Sequence, residues 1–261
     1  MKISGQSDCI RRIGRLKVME KEFNLKMSES QLNALFHVLL ERASGIGAAN
    51  VLSNDKLADI FEANKRAVVR VRIGSGKDRD SATGFIISAK GYLLTAEHVV
   101  YDEERGGFYP DIRMSFEKGG RKYKLRPLYS CRSLDIALCE FDPDEVTESY
   151  SAIKLISHYS ALRAGETCYM IGNTVDNGLS PVEGTVRQTK EAGRELQLNA
   201  DINPGDSGAP VFNSKGECIG LAKCRMDKLS GVQISGIAYA TPADKINQRL
   251  NDWLKEKDVL M

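Results

Sequence analysis

The chain lacks any apolar run of about 18 residues, so no helix that could cross a bilayer is expected. It also lacks a dominant charge. Against 37 Lys and Arg stand 35 Asp and Glu, a formal net charge of +2 over 261 residues. Neither a nucleic acid nor an anionic membrane is therefore indicated as a partner. Histidine is scarce, and His37, His98 and His158 lie far apart in sequence. The six cysteines (Cys9, Cys131, Cys139, Cys168, Cys218 and Cys224) form no C-x-x-C pair. No metal-ligand spacing arises from these residues, and no metal or other cofactor is expected. Several of the cysteines sit inside apolar, strand-like runs, where a free thiol behaves as a small hydrophobe. Reduced core thiols in a cytoplasmic protein are the expectation.

A secretory signal is missing from the first residues. MKISGQSDCIRRIGRLKVMEKEF carries charge throughout and no continuous apolar stretch. Residues 1–27 are expected to be a mobile basic tail.

What is present suits a globular protein with a real core: 42% hydrophobic and 28% charged residues. Residues 28–66 read as a helical segment. Ser28 and Gln31 form a capping-box pattern, and Leu32, Leu35, Phe36, Leu39 and Leu40 fall on one stripe over 28–44. That stripe either packs on its own domain or docks a protein partner. A second helix is predicted at about 54–66, with Leu57, Ile60 and Phe61 on one face.

From residue 67 to 261 the texture changes. Short β-branched and aromatic runs recur between Gly, Asn, Asp and Pro: AVVRVRI (67–73), TGFIIS (83–88), GYLLTA (91–96), DIALCEF (135–141), TCYMIG (167–172), VEGTVRQT (182–189), GAPVFN (208–213), ECIGLAKC (217–224) and ISGIAYAT (234–241). Many short strands at this spacing predict an all-β barrel or sandwich. A final helix is predicted from Pro242 to about Lys257, with Ile246, Leu250, Trp253 and Leu254 on its apolar face.

Three residues stand in a pattern that suits nucleophilic catalysis. Ser207 lies in N-P-G-D-S-G-A-P, where the flanking glycines leave room for a substrate backbone. The amides of Gly205 and Ser207 could converge there as an oxyanion hole. His98 follows a strand in L-L-T-A-E-H-V-V, and Asp135 opens L-D-I-A-L-C-E-F. A serine nucleophile needs a base to take its proton and a carboxylate to hold that base in one tautomer. The chain order His, Asp, Ser excludes the subtilisin and α/β-hydrolase arrangements.

With these motifs the chain resembles the trypsin-like peptidases of the high-temperature-requirement (HtrA/Deg) type. The resemblance runs from about Val68 to about Ile246. It includes T-G-F-I-I-S-A-K-G-Y-L-L-T-A-E-H-V-V, D-I-A-L, I-G-N at 171–173, the Ser207 block, G-E-C-I-G-L-A at 216–222 and G-I-A-Y-A-T-P at 236–242. It implies a mainly β, chymotrypsin-like fold of two six-stranded antiparallel barrels, with a short N-terminal helical segment and a C-terminal helix. It further implies a site in the cleft between the barrels, a serine endopeptidase acting on polypeptides, and no cofactor. The chain departs from the family in having G-D-S-G-A-P around the serine in place of G-N-S-G-G. No activation site resembling I-V-G-G precedes Val68 to supply a partner for Asp206. No PDZ module is expected after the last of these motifs. The loop after His98, Y-D-E-E-R-G-G-F-Y-P-D, is short, and the oligomeric state stays open.

The resemblance also places a specificity pocket. Asp201, six residues before Ser207, falls where trypsins keep an anionic pocket floor, and Lys223 and Arg225 fall on a nearby wall. A buried Asp201 favours cleavage after Arg or Lys unless Lys223 or Arg225 neutralises it. A protease-fold protein that binds peptides without cutting them, or one regulated by a partner, is the competing expectation.

Overall fold

The computed structural model describes residues 56–74, 80–156, 162–189, 195–225, 228–229, 232–233 and 236–258. The tail 1–27 and the helix expected over 28–44 lie outside them. Asp55–Met261 forms one compact unit. Its first described element is a helix over 56–64. Leu57, Ile60 and Phe61 recur at i, i+3 and i+4, which turns one helix face to the β core. Ile60 is buried in that core, and the other two pack beside it. A short 3-10 turn, Lys65–Ala67, then leads straight into the first strand.

The first half of the chain builds one antiparallel sheet. β1 (Val68–Ile73), β2 (Asp80–Ser88) and β3 (Tyr92–Thr95) form a meander. β4 (Tyr101–Asp102) and β5 (Gly107–Phe108) make a small separate hairpin. β6 (Ile112–Ser115), β7 (Tyr123–Lys124), β8 (Arg126–Cys131) and β9 (Ile136–Glu140) complete the sheet, in the order β7-β6-β1-β2-β3-β9-β8. Here the expectation of a closed six-stranded barrel needs correction. The structure has a curled, half-barrel sheet of seven strands. The two end strands are consecutive in sequence, interrupted at Leu125, whose amide turns to the Ile112 carbonyl. That break divides one run into two strands, each paired to a different end of the sheet.

The second half closes. β10 (Thr167–Gly172), β11 (Ser180–Thr189), β12 (Leu196–Asn199), β13 (Pro210–Asn213), β14 (Cys218–Arg225) and β17 (Ala238–Pro242) form a six-stranded barrel in the order β10-β11-β12-β17-β14-β13. A small hairpin of β15 (Lys228–Leu229) and β16 (Val232–Gln233) stands apart from it. Because side chains alternate across a strand, β10 serves two cores. Cys168 and Met170 belong to the barrel interior with Leu198, Val211 and Ile219, whereas Tyr169 and Ile171 join the larger core of the first sheet.

The C-terminal helix, Ala243–Asp258, begins directly after β17. Pro242 is thus the last strand residue, not the first helical one. Ala243 and Ile246 are buried, and Leu250 and Trp253 pack against the larger core. Leu254 is 52% exposed and drops out of the expected apolar face.

Candidate active site

His98 lies on a one-turn helix, Glu97–Val100, immediately after β3. Asp135 ends the turn between β8 and β9, with a left-handed φ of 53° that is uncommon for a residue other than glycine. Hydrogen bonds hold this turn from two sides. The Asp135 amide donates to the Arg132 carbonyl (3.2 Å), and the Thr241 hydroxyl donates to the Leu134 carbonyl (2.5 Å). Thr241 is buried on β17, so the closed barrel helps to set a turn that belongs to the first sheet.

The two side chains meet. His98 Nδ1 is 3.0 Å from Asp135 Oδ1 and 2.9 Å from Oδ2, and the His98 backbone amide donates to Oδ1 at 3.0 Å. Asp135 thereby holds both the ring and the main chain of His98, leaving Nε2 as the outward nitrogen. The hydrogen bond to Asp135 raises the His98 pKa above its ordinary 6.5, against the opposing effect of burial. Burial pushes Asp135 up, but the His98 hydrogen bonds and charge, with Lys223 adding to them, hold it below its ordinary 3.8. These opposed shifts are those of a carboxylate steadying a basic imidazole.

Ser207 sits in the turn between β12 and β13, pressed against the first sheet. Its carbonyl accepts from the Thr83 amide at 2.9 Å. At Gly208, φ is +86°, and a Cβ would strike the Thr83 carbonyl and the Thr95 hydroxyl. Only glycine fits this approach, which brings the Ser207 turn against the strand end that precedes His98. At Gly205, φ is +99°, and a Cβ would strike the Asn173 carbonyl. Among the described residues, the Gly205 and Ser207 amides have no hydrogen-bond acceptor. The Ser207 hydroxyl donates to the Lys223 carbonyl at 3.0 Å rather than to His98.

Asp206 is wholly buried in the same turn. The Asn203 amide donates to its Oδ2 (2.9 Å) and the Thr174 hydroxyl to its Oδ1 (2.8 Å). Burial, only partly offset by these bonds, raises its pKa above the ordinary 3.8. Among the described residues, neutral donors therefore meet Asp206, whose partner the sequence left open.

The pocket residues stand differently from expectation. Asp201 is exposed, so the desolvation that would sharpen its attraction for a cation is absent. Lys223 Nζ does not reach it and pairs with Glu195 Oε1 at 3.2 Å. Sequence reasoning missed Glu195, because nothing at a separation of 28 residues signals that pair. The Arg225 side chain lies outside the described set. A cavity of about 1090 Å³ between helix 56–64, Leu155 and the C-terminal helix is lined by none of these residues and is not the site.

A family model described as a trypsin-like peptidase domain matches residues 82–221, a span that holds His98, Asp135 and Ser207. The chain is 31% identical over 183 residues to serine protease HTRA4 of Mus musculus, covering 66% of this chain and 34% of that protein. To serine protease HTRA3 of Homo sapiens it is 26% identical over 224 residues, covering 76% and 47%. Among solved structures it is similar to the serine endoprotease from Yersinia pestis, with a TM-score of 0.64 and 23% identity over 77% of this chain and 67% of that one. At that identity the structural likeness concerns the fold. The chain spans between a third and a half of the length of these curated relatives.

Proposed function

Since the chain belongs to the trypsin-like peptidase family, with relatives of the HtrA type, we propose that it is a serine endopeptidase with His98, Asp135 and Ser207 as its catalytic residues. The observation that carries this reading is the His98–Asp135 pair, bonded at 2.9–3.0 Å, beside the glycine-lined turn of Ser207. In acylation, the Ser207 hydroxyl proton passes to His98 Nε2 while Oγ bonds to the substrate carbonyl carbon. The carbonyl oxygen becomes an oxyanion facing the Gly205 and Ser207 amides. Collapse breaks the C–N bond, and His98 returns the proton to the leaving amine. A water then repeats these steps on the acyl-enzyme and frees the acid. Asp135 stays ionised and steadies the imidazolium. The curled sheet serves as the counterpart of a first barrel, with the bent run 123–131 as its sixth strand.

The second reading, a nucleophile that works only when released, has its own observation. The Ser207 hydroxyl rests on the Lys223 carbonyl and must change rotamer to meet His98. One experiment separates the two. A fluorophosphonate probe is expected to label the purified protein and not its Ser207→Ala variant. Wild-type protein that takes up no label refutes the active reading and favours a protease-fold protein that is held off or only binds peptides.

The remaining readings are finer. Asp201 at the pocket favours cleavage after Arg or Lys, and the pairing of Lys223 with Glu195 removes one internal competitor for it. Exposure keeps that preference modest. A peptide-library profile dominated by small aliphatic residues would overturn it. A cytoplasmic location rests on the free thiols of Cys131, Cys139, Cys168 and Cys218. Docking of a protein partner on the N-terminal helices rests on the stripe over 28–44 alone.

A further inference from the structure

The turn that carries Gly205 and Ser207 is held from outside by a loop that ordinary sequence reasoning passes over. Residues 173–178 follow β10. Three consecutive residues of the turn are each bound to this loop or to a shared threonine. The Val175 amide donates to the Pro204 carbonyl at 2.7 Å. The Asn173 amide donates to the Thr83 hydroxyl (2.9 Å), which in turn donates to the Gly205 carbonyl (2.6 Å). The Thr174 hydroxyl donates to the buried Asp206 carboxyl. Gly205 lies so close to the Asn173 carbonyl that no side chain fits between them.

The loop achieves this in a conformation that it does not favour by itself. Val175 has φ 47° and Asp176 has φ 55°, two successive left-handed residues without a glycine. For β-branched Val175 that region is especially disfavoured. Its side chain is 65% exposed, so packing of the valine does not explain the conformation. The hold comes from Asp176. Its Oδ1 accepts from the Arg70 guanidinium and from the Ser81 hydroxyl (2.7 Å), and from the Asn173 side-chain amide at 3.3 Å. The same Asn173 amide also donates to Ser81 at 2.7 Å. Arg72 stands 3.9 Å from Oδ2. Burial works against the ionised carboxyl, but the Arg70 bond, with those of Ser81 and Asn173, holds it well below the usual carboxylate range. Arg70 is 1% exposed on β1, and among the described residues its Nε has no acceptor. Apart from the Glu117 carbonyl at 3.3 Å, its guanidinium depends on Asp176.

We infer that the Arg70–Asp176 pair is a latch between β1 and the loop 173–178 that sets the geometry of the oxyanion turn, so that both are positioning residues for catalysis. The charge that stabilises this turn thus comes from an ion pair in the loop beside it, while Asp206 itself is met by neutral donors. The latch rests on the endopeptidase reading for its kinetic consequence and not for its structural one. An amide placed wrongly by a fraction of an ångström no longer meets the developing oxyanion, whereas peptide binding elsewhere in the cleft is untouched.

The test uses the full chain with Asp176→Asn, which keeps the side-chain size, and the double variant Arg70→Met with Asp176→Asn, which leaves no unpaired buried cation. Hydrogen exchange followed by mass spectrometry should show faster exchange in both segments, 173–178 and 203–209, with β11 unchanged. On a peptide substrate, kcat should fall by about tenfold to a hundredfold with KM within about twofold. Affinity for a peptide boronate, whose tetrahedral adduct fills the oxyanion hole, should fall in parallel. The Asp176→Glu variant should recover part of each loss. Wild-type exchange in segment 203–209 together with wild-type kcat in both variants overturns the latch. Faster exchange in a protein whose wild type hydrolyses nothing and takes up no fluorophosphonate leaves the latch standing and removes the proposed function.

Discussion

The two halves of the proposed catalytic centre are built in different ways. His98 and Asp135 both stand on the first sheet, 37 residues apart, and hold each other through ring and backbone bonds. One bond from the second half, Thr241 to Leu134, supports them. Ser207 stands on the closed barrel, but its turn is defined largely by what touches it: Thr83 from β2, the loop after β10, and Lys223 from β14. The base is assembled by near neighbours and the nucleophile by a convergence of distant ones. Where the first sheet and the closed barrel meet in this way, a small shift of either would disturb the Ser207 turn before it disturbed the His98–Asp135 pair.

Removal of either half should be equally fatal, since the proton transfer needs both. Ser207→Ala and His98→Ala are each expected to lower kcat by about a millionfold, and Asp135→Asn by about ten-thousandfold. None of the three opens a large core cavity, so melting temperatures should stay close to wild type. Steady-state kinetics beside thermal melts check this. A Ser207→Ala protein free of contaminating protease that cuts at the wild-type rate ends the assignment.

The pH dependence sharpens the contrast, because it reports the His–Asp half alone. His98 must be neutral to accept a proton, and its pKa lies above 6.5. The acid limb of kcat/KM should therefore lie above that value, and Asp135→Asn should move it down. Stability runs the other way. The raised His98 value stabilises the fold fully below 6.5, and this contribution is lost as pH rises through the folded-state pKa. The depressed Asp135 contributes above 3.8 and loses its contribution as pH falls through its lower folded-state value. Activity thus climbs in the window where this part of the stability is being given up. The His98 side chain is 46% exposed, so solvent screening keeps the stability change small. Denaturant titrations at pH 6 and pH 9, for the wild type and Asp135→Asn, measure it.

How much of this could be read from the chain follows the same division. TCYMIG was legible as a strand and is β10, because its apolar residues are contiguous and β-rich. Cys168 and Met170 on one side, with Tyr169 and Ile171 on the other, explain why: a strand that serves two cores shows no polar face. β8 (RPLYSC) left no such signal, since its residues are exposed or half-buried and Pro127 interrupts the pattern. β12 (LQLN) is too short to show a period. The motifs of His98, Asp135 and Ser207 were legible as candidates because each is local. Lys223–Glu195 and Arg70–Asp176 were not, because each joins residues 28 and 106 positions apart whose local surroundings say nothing of a partner. Asp201 was expected to be buried and is exposed, because its exposure depends on how the turn between β12 and Ser207 sits, and sequence offset does not encode that.

The bond from Thr241 to Leu134, which ties the closed barrel to the His–Asp half, offers a milder break. Thr241→Val keeps the shape of the side chain and removes the hydroxyl that the Leu134 carbonyl accepts from. Thr241 is buried and Leu134 half-buried, so an unpaired carbonyl should destabilise the protein by about 1 kcal/mol. Because His98 and Asp135 hold each other without it, kcat should fall by less than about tenfold. A loss as large as that of Asp135→Asn would mean that the first half, too, is assembled from across the seam.

The smallest expected effect concerns Cys131, which ends β8 four residues before Asp135. Burial pushes its thiol up, but the Ser133 hydroxyl, the Leu134 amide and Arg249 outweigh it, and the pKa is lowered. Cys139, Cys168 and Cys218 are buried, and burial alone raises Cys139, while Cys168 and Cys218 are pushed up to about 12. A brief exposure to iodoacetamide at pH 7.5 should therefore modify Cys131 before these three, since the thiolate is the reacting form and of these four only Cys131 is partly open to solvent. Peptide mapping by mass spectrometry reads the site. The Asp135 turn begins next to Cys131, with the Leu134 amide bound to the Cys131 carbonyl at 3.2 Å. That bond is made by backbone, and an adduct on the sulfur leaves it in place. Activity should accordingly stay within about twofold of the unmodified protein, as for a surface change away from the reacting groups. Loss of activity in step with Cys131 alkylation would show that the His–Asp half is less self-contained than its hydrogen bonds imply.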